Sequence, residues 1–327
     1  MHRIFARLSV RRARAAAISH LPSAIAAVCA AALLLMSFSL QAGPRDAQWK
    51  QVEEAIKKGL PKTAITNLEP IIQGALKDRA YAEAVKAIGQ KIALEGNIQG
   101  NKPEEQITRM QAEIAKAPKE MVPLMDTLLA EWYWQYFQQN RWRFMQRTAT
   151  ASQPGKDFTT WDLPRLFAEI DKQFQKALAA EKVLKATPIS AWDGLLQKGT
   201  MPDSYRPALY DFIAYQALQF YTSGEQAAAK PEDAFELSAD PPAFGVVSIF
   251  GSADEFIHGK IERRADESPV EKALFLYRDL LQFHRSDAEP SALADADLAR
   301  LIWAYNTAFG ESKSARYKAA LKMFAEK

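Results

Sequence analysis

The chain of 327 residues is poor in the side chains that build metal sites and nucleophilic centres. It has a single cysteine, Cys29, and only two of its four histidines, His258 and His284, lie beyond residue 42. If residues 1–42 are removed, disulfides, cysteine-containing zinc sites and cysteine nucleophiles are excluded from the remainder. The two remaining histidines have no HxxxH or HExxH spacing, so each is predicted to lie at a helix end or on the surface. We expect no metal cofactor.

Phosphate-binding loops are also missing. The 14 glycines form neither GxGxxG nor GxxxxGK, because Thr200 follows the suitably spaced Gly194 and Gly199 where a lysine is required. Neighbouring acids such as Asp254 and Glu255 point to different sides of a helix, whereas acid–base catalysis needs two carboxyls facing each other across a cleft. The sequence therefore predicts no nucleotide cofactor and no enzyme.

The first 42 residues contain five arginines and no acid. An apolar run from Ala24 to Met36 follows, and Ala42 is a small residue at a plausible cleavage point. This order predicts a secretory signal peptide, residues 1–42, and export to the periplasm or cell envelope of a Gram-negative bacterium. Because Leu40 is large for its place before the cleavage point, an uncleaved membrane anchor is the alternative.

Removal of this segment would change the sign of the net charge. The whole chain has 42 basic and 39 acidic residues, a formal charge of +3, and without the five arginines the balance is 37 minus 39, or −2. The basic character therefore belongs to the export signal, and no nucleic-acid partner is expected. Membrane contact is expected only through the N-terminal segment, if that segment is uncleaved.

Alternation of apolar and polar residues, the pattern of strands, is scarce, and nearly every segment from Asp46 onward has helical periodicity. Pairs of short amphipathic helices joined by tight turns are typical of helical repeats. The sequence predicts an all-α, tetratricopeptide-like solenoid of antiparallel helix pairs. Residues 43–222 are its N-terminal helical region, 223–267 an irregular connection, and 268–327 a C-terminal helical block interpreted as truncated.

The most aromatic stretch, Met121–Arg147, has seven aromatic side chains between Trp132 and Phe144. Read as one helix, it is apolar over most of its circumference and is predicted to lie inside a stack of other helices. Two interpretations remain. Exposed tryptophan and tyrosine side chains would line a groove for a peptide or glycan, whereas the favoured interpretation is packing between helices.

Three segments, Ala130–Trp142, Thr160–Asp162 and Arg206–Phe212, carry a family resemblance. Together they resemble the N-terminal helical region of large bacterial alpha-2-macroglobulin-like proteins, and the resemblance extends from about Trp49 to the C-terminus. The packing and turn residues that carry it are Trp132, Tyr136, Arg141, Trp142, Trp161, Asp162, Arg206, Pro207, Tyr210 and Asp211.

Members of that family are thought to trap proteases in the cell envelope through a bait segment and, in many cases, a thioester made from a Cys-Gly-Glu-Gln motif. This chain has no cysteine after Cys29 and no such motif. The resemblance therefore implies a non-enzymatic scaffold whose partner is the remaining macroglobulin domains. The alternative is an independent periplasmic helical-repeat adaptor that binds a peptide or an envelope protein.

Overall fold

The structure is a computed structural model. It describes residues 43–100, 102–146, 155, 157–229, 236–240, 248–261, 263 and 267–326. The predicted signal peptide, residues 1–42, and much of the predicted connection lie outside these ranges. Among the helices that are described, none combines the length and the apolar character needed to cross a bilayer.

Thirteen α-helices make up most of the described structure, and no strand is found in the described ranges, which confirms the all-α helical-repeat prediction. In chain order they are α1 Asp46–Lys57, α2 Pro61–Lys77, α3 Tyr81–Ile98, α4 Pro103–Ile114, α5 Val122–Gln139, α6 Arg141–Met145, α7 Leu163–Leu178, α8 Glu181–Ala186, α9 Leu209–Tyr221, α10 Ala253–His258, α11 Pro269–His284, α12 Ser291–Thr307 and α13 Lys313–Ala325.

Tight turns join the first three helices and reverse the chain each time. Gly59 between α1 and α2 has φ +68°, and Arg79 between α2 and α3 has φ +57°, so both occupy the left-handed region that favours glycine. Helix α2 runs through Pro70 without a break. Helix α3 continues through Gly96 to Ile98, and that glycine makes room for the side chain of Gln106 on α4.

The aromatic stretch does not form one helix, which corrects the continuous reading of Met121–Arg147. Helix α5 ends at Gln139. The next residue, Asn140, has a φ of −115°, which is not helical, and its side-chain amide donates to the carbonyl of Tyr136 at 2.9 Å. Such a local bond competes with the helical backbone. The chain then turns back in α6, where Phe144 packs against the rings of Tyr136 and Phe137 at 5.9 and 5.8 Å.

Side-chain caps mark the starts of two helices. The carboxylate of Asp162 accepts from the backbone N–H of Arg165 at 3.0 Å at the start of α7. Ser268 and Glu271 form a reciprocal capping box at the start of α11, with the backbone N–H of Ser268 donating to Glu271 at 2.8 Å.

The C-terminal helices pack on the N-terminal region, since α11 lies against α9 and α12 lies against the short 3₁₀ turn at residues 203–205. Parts of the predicted connection are also fixed to them. Residues 237–239 exchange backbone hydrogen bonds of 3.1 and 2.8 Å with Phe309. The buried guanidinium of Arg300 on α12 donates to the carbonyls of Ile249 and Gly251 at 2.7 and 2.9 Å and pairs with Asp297.

Candidate binding groove

A groove of about 1750 Å³ runs along one face of the helical stack. Its walls come from α1, α3, α4, α5 and α9 and from the loop that follows the 3₁₀ turn Ile189–Trp192. Helices that stand side by side in a repeat protein form an extended concave surface of this kind, and such surfaces bind partners.

Helices α5 and α9 each contribute residues at i, i+3, i+4 and i+7, which is one face of a helix. These eight side chains, which we call the amide–aromatic face, are Trp132, Gln135, Tyr136 and Gln139 on α5 and Phe212, Tyr215, Gln216 and Gln219 on α9. Four are aromatic and four are glutamines, and none is charged at neutral pH. This part of the groove therefore offers ring surfaces together with paired hydrogen-bond donors and acceptors.

Gln216 is the most confined of the four glutamines. It is 6% exposed and lines the groove, whereas Gln135, Gln139 and Gln219 are exposed.

Charged side chains near α1 and α3 are engaged with one another. The buried Arg45 guanidinium lies 2.5 Å from Asp78 and 2.6 Å from Glu83, and hydrogen bonds to these two carboxylates raise its pKa. The indole N–H of Trp49 donates to the other oxygen of Glu83 at 2.7 Å. The ammonium of Lys86 lies 4.8 Å from the centre of the Trp49 ring. The charges of this cluster are therefore largely neutralised within it.

A second charged cluster shows the same arrangement. Lys198 lies 3.1 Å from Asp193 and 3.0 Å from Asp203, in the loop between the turn Ile189–Trp192 and α9. Along the whole groove five acidic and five basic residues line the walls, so it has no net charge to attract a partner of one sign.

Arg206 and Pro207, predicted turn residues, fix the loop that leads into α9. The Arg206 guanidinium lies 3.6 Å above the centre of the Tyr215 ring and 3.2 Å from Asp295 on α12. The carbonyl of Pro207 accepts from the backbone N–H of Ile189 at 2.8 Å. Arg206 therefore holds Tyr215 in position at the edge of the amide–aromatic face.

A second, smaller cavity of about 390 Å³ lies behind α5. Trp161 packs there in a nearly parallel stack with Tyr133, with ring centres 6.2 Å apart, and its indole N–H donates to the carbonyl of Gly155 at 2.7 Å. Arg165 covers the Trp161 ring at 4.8 Å. Trp161 therefore packs against α5 and Asp162 caps α7, away from the groove.

His284 was predicted to lie at a helix end or on the surface. It lies at a helix end, but it is buried. It is the last residue of α11, but only 2% of it is exposed. Its Nε2 lies 2.8 Å from the buried Asp211 and its Nδ1 lies 2.7 Å from Asp287. Burial lowers the pKa of His284, but hydrogen bonds and charge from the two carboxylates outweigh it, so the pKa is raised.

This histidine joins the start of α9 to the end of α11. Asp211 also accepts from the backbone N–H of Ala208 at 2.8 Å, and the adjacent Tyr210 packs edge-on against Phe283 at 5.7 Å. Nowhere in the described ranges do three histidine, aspartate or glutamate side chains form a group suited to a metal ion. The arrangement is that of an ion-paired contact between helices.

The structure thus divides the ten predicted packing and turn residues. It places Trp132, Tyr136 and Arg206 at the groove. The packing prediction is wrong for Trp142, which is 75% exposed because the turn at Asn140 directs it outward, and the exposed Arg141 lies 3.9 Å from Glu225. The others, Trp161, Asp162, Pro207, Tyr210 and Asp211, serve turns, caps or contacts between helices.

The glutamines of the groove were missed by sequence reasoning, although their i, i+3, i+4 and i+7 spacing with aromatics is visible in both helices. Comparison of the chain with protein-family models, with curated proteins and with solved structures gave no match.

Proposed function

We propose that this chain is a non-enzymatic, exported helical-repeat adaptor that binds an extended segment of a partner protein in the groove between α1, α3, α5 and α9. The observation that carries the proposal is the amide–aromatic face, where two helices 80 residues apart in sequence present matched faces to one open groove. Aromatic rings supply contact area at low entropic cost, and amides supply adaptable hydrogen bonds.

The dimensions of the groove favour a polymer over a small metabolite. Small-molecule sites typically enclose about 300–1,000 Å³, and the groove has about 1750 Å³ along several helices. Several of its charged groups pair with one another, such as Lys198 with Asp193 and Arg45 with Glu83. These features support a binding role.

The resemblance to alpha-2-macroglobulin-like proteins remains a prediction about lineage. On that prediction the chain is a scaffold in the cell envelope, and the bound segment belongs to the remaining macroglobulin domains or to another envelope protein. The purified chain is then expected neither to hydrolyse a protease nor to capture one. A stable covalent or caged complex with a protease would overturn the non-enzymatic scaffold.

Site-specific photo-crosslinking in cells tests the adaptor proposal. A benzophenone amino acid is placed at Gln139, which is exposed and lines the groove, and in a matched variant at Gln138, which is exposed on the same helix but does not line it. We expect a discrete crosslinked protein from position 139 and none from position 138. Absence of crosslinks at both positions, or equal crosslinks at both, would refute binding in the groove.

A further inference from the structure

We propose that the mature protein begins at Gly43 and that its α-amino group forms an ion pair with the carboxylate of Asp46 at the wall of the groove. The bond between Ala42 and Gly43 is then a proteolytic processing site, and a carboxylate partner is already in place for the amine that processing creates. The inference rests on the export that the proposed function includes, and it is independent of what the groove binds.

A turn from Gly43 to Asp46 brings the nitrogen and the carboxylate together. The N–H of Gly43 donates to the carboxylate of Asp46 at 2.7 Å, and the carbonyl of Gly43 accepts from the backbone N–H of Asp46 at 3.1 Å. A Cβ atom at position 43 would lie 2.9 Å from Oδ1 of Asp46, so a side chain there would push the carboxylate away from the nitrogen. Glycine at this position leaves the two groups in contact.

Cleavage changes the charge of the Gly43 nitrogen. Hydrolysis by a signal peptidase, the protease class that removes export leaders, breaks the C–N bond between Ala42 and Gly43. Water supplies a hydroxyl to the carbonyl carbon of Ala42 and a proton to the nitrogen. At neutral pH the new carboxyl group loses its proton and the new amine gains one, because their ordinary pKa values are about 3.5 and about 8. The hydrogen bond to Asp46 thereby becomes an ion pair.

Arg45 fixes the chain two residues after the cleavage point. Its buried guanidinium donates to Asp78 at 2.5 Å and to Glu83 on α3 at 2.6 and 2.8 Å. Gly74 on α2 leaves room for it, because a Cβ atom at position 74 would lie 3.3 Å from Nη1 of Arg45. These contacts join residues more than thirty positions apart. The start of the mature chain is therefore attached to the α2–α3 pair, and its amine stays at the groove.

The position of Asp46 also suits the amine electrostatically. Asp46 is the first residue of α1, so the amine lies beside the positive end of the helix dipole, which disfavours a cation. A carboxylate in the first turn interacts favourably with both the dipole and the amine. The acidic and basic side chains that line the groove are equal in number, so processing adds one positive charge at its wall.

The test begins with expression of the full-length chain in a Gram-negative host. The chain is recovered from the periplasm, and N-terminal sequencing with intact mass is expected to give Gly43 as the first residue. The ion pair is then measured by the rate at which an acylating reagent modifies the α-amine at pH 7, followed by mass spectrometry of the N-terminal peptide. Only the unprotonated amine reacts, and a contacting carboxylate keeps the amine protonated.

Asp46→Asn removes the charge of the partner and retains its shape, including an oxygen that accepts from the amine. It is expected to accelerate acylation by at least about threefold, which corresponds to about half a pKa unit. The matched change is Glu53→Gln, which removes an exposed carboxylate that also lines the groove on α1. Its effect is expected to stay below about 1.5-fold, because exposed charges further from the amine are screened by solvent and salt.

The other results have distinct meanings. A periplasmic protein that begins at another residue, or that keeps residues 1–42 as a membrane anchor, overturns the inference, while crosslinks from Gln139 would still support the adaptor. Equal acylation rates for Asp46→Asn and the wild type overturn the ion pair. A chain that remains in the cytoplasm overturns both the inference and the exported adaptor. A chain that begins at Gly43 but gives no crosslink from Gln139 overturns the adaptor alone.

Discussion

Replacement of Glu131 by glutamine is expected to stabilise the protein above neutral pH and to have little effect at pH 4. Glu131 lies on α5 next to Trp132 and is mostly buried. One of its carboxylate oxygens is fully buried and has no hydrogen-bond partner among the described residues. Burial raises the pKa of Glu131 from 4.5 to about 7. The ionised carboxylate is therefore disfavoured in the folded state.

The size of the effect follows from the shift of the pKa. A difference of about 2.5 pH units, at about 1.4 kcal/mol per unit, amounts to roughly 3 kcal/mol. Below about pH 4.5 the group is protonated in both the folded and unfolded states, so it costs nothing. As the pH rises to about 7, the unfolded state releases its proton first and stability falls. Above that pH the full cost is present.

Urea denaturation at pH 4, 5.5, 7 and 8.5 measures this dependence. The free energy of unfolding of Glu131→Gln is expected to exceed that of the wild type by about 3 kcal/mol at pH 8.5, with the difference shrinking towards zero at pH 4. The control is Glu54→Gln on the exposed face of α1, whose effect is expected to stay within about 0.5 kcal/mol. A difference for Glu131→Gln that is independent of pH would refute the reasoning.

Three further changes test structural contacts. His284→Ala leaves the buried Asp211 without its histidine partner, and urea denaturation is expected to show a loss of about 3 kcal/mol. The loss is larger at pH 6 than at pH 9, because stability from a raised histidine pKa is present at low pH and disappears as the pH rises through the folded value. Arg300→Met leaves the buried Asp297 unpaired and frees two backbone carbonyls, which is expected to cost about 3–5 kcal/mol and to speed limited proteolysis at residues 248–251. Arg79→Gly relieves a left-handed residue and is expected to raise stability by about 0.5–1 kcal/mol in thermal unfolding.

Control substitutions show whether these effects are specific to the residues named or would follow from any substitution nearby. His258 is exposed, so His258→Ala is expected to change the free energy of unfolding by less than about 0.5 kcal/mol. If His258→Ala destabilises the protein as much as His284→Ala does, the contact between His284 and Asp211 does not explain the loss. The control for Arg300→Met is Lys322→Met on α13, where the lysine is exposed. If Arg300→Met is cleaved at residues 248–251 no faster than the wild type, Arg300 does not anchor that segment. Lys77→Gly, at the end of α2, is expected to destabilise, so destabilisation by Arg79→Gly as well would refute the strain argument.

The fold class and several helix boundaries could be predicted because local chemistry determines them. Asp162 and Ser268 mark helix starts through bonds to amides three residues away, so the signal lies within one turn. The break at Asn140 was less visible, because asparagine is tolerated inside helices and only its bond to Tyr136 decides the outcome. Helical periodicity could not locate this end of α5, and therefore it could not predict that Trp142, on α6, is exposed.

Contacts between distant segments could not be predicted from the sequence. His284 and Asp211 are separated by 73 residues, and Arg300 lies about 50 residues from the carbonyls it binds. A lone histidine or arginine in a helical pattern has the same local signature whether it meets solvent or a buried carboxylate. Only the packing of α9 against α11, and of α12 against residues 249–251, decides between these environments.

The groove was hidden for a related reason. Trp132 and Tyr136 on α5 have the spacing of a packed stripe, and Phe212 and Tyr215 on α9 repeat it 80 residues later, so each helix alone is explained by packing. In a solenoid the face turned towards a neighbouring helix and the face turned towards a bound segment have the same periodicity. What distinguishes them is which other elements surround the stripe. The glutamines that accompany the rings on α5 and α9 could be recognised as groove residues only after the two helices were seen to border the same groove.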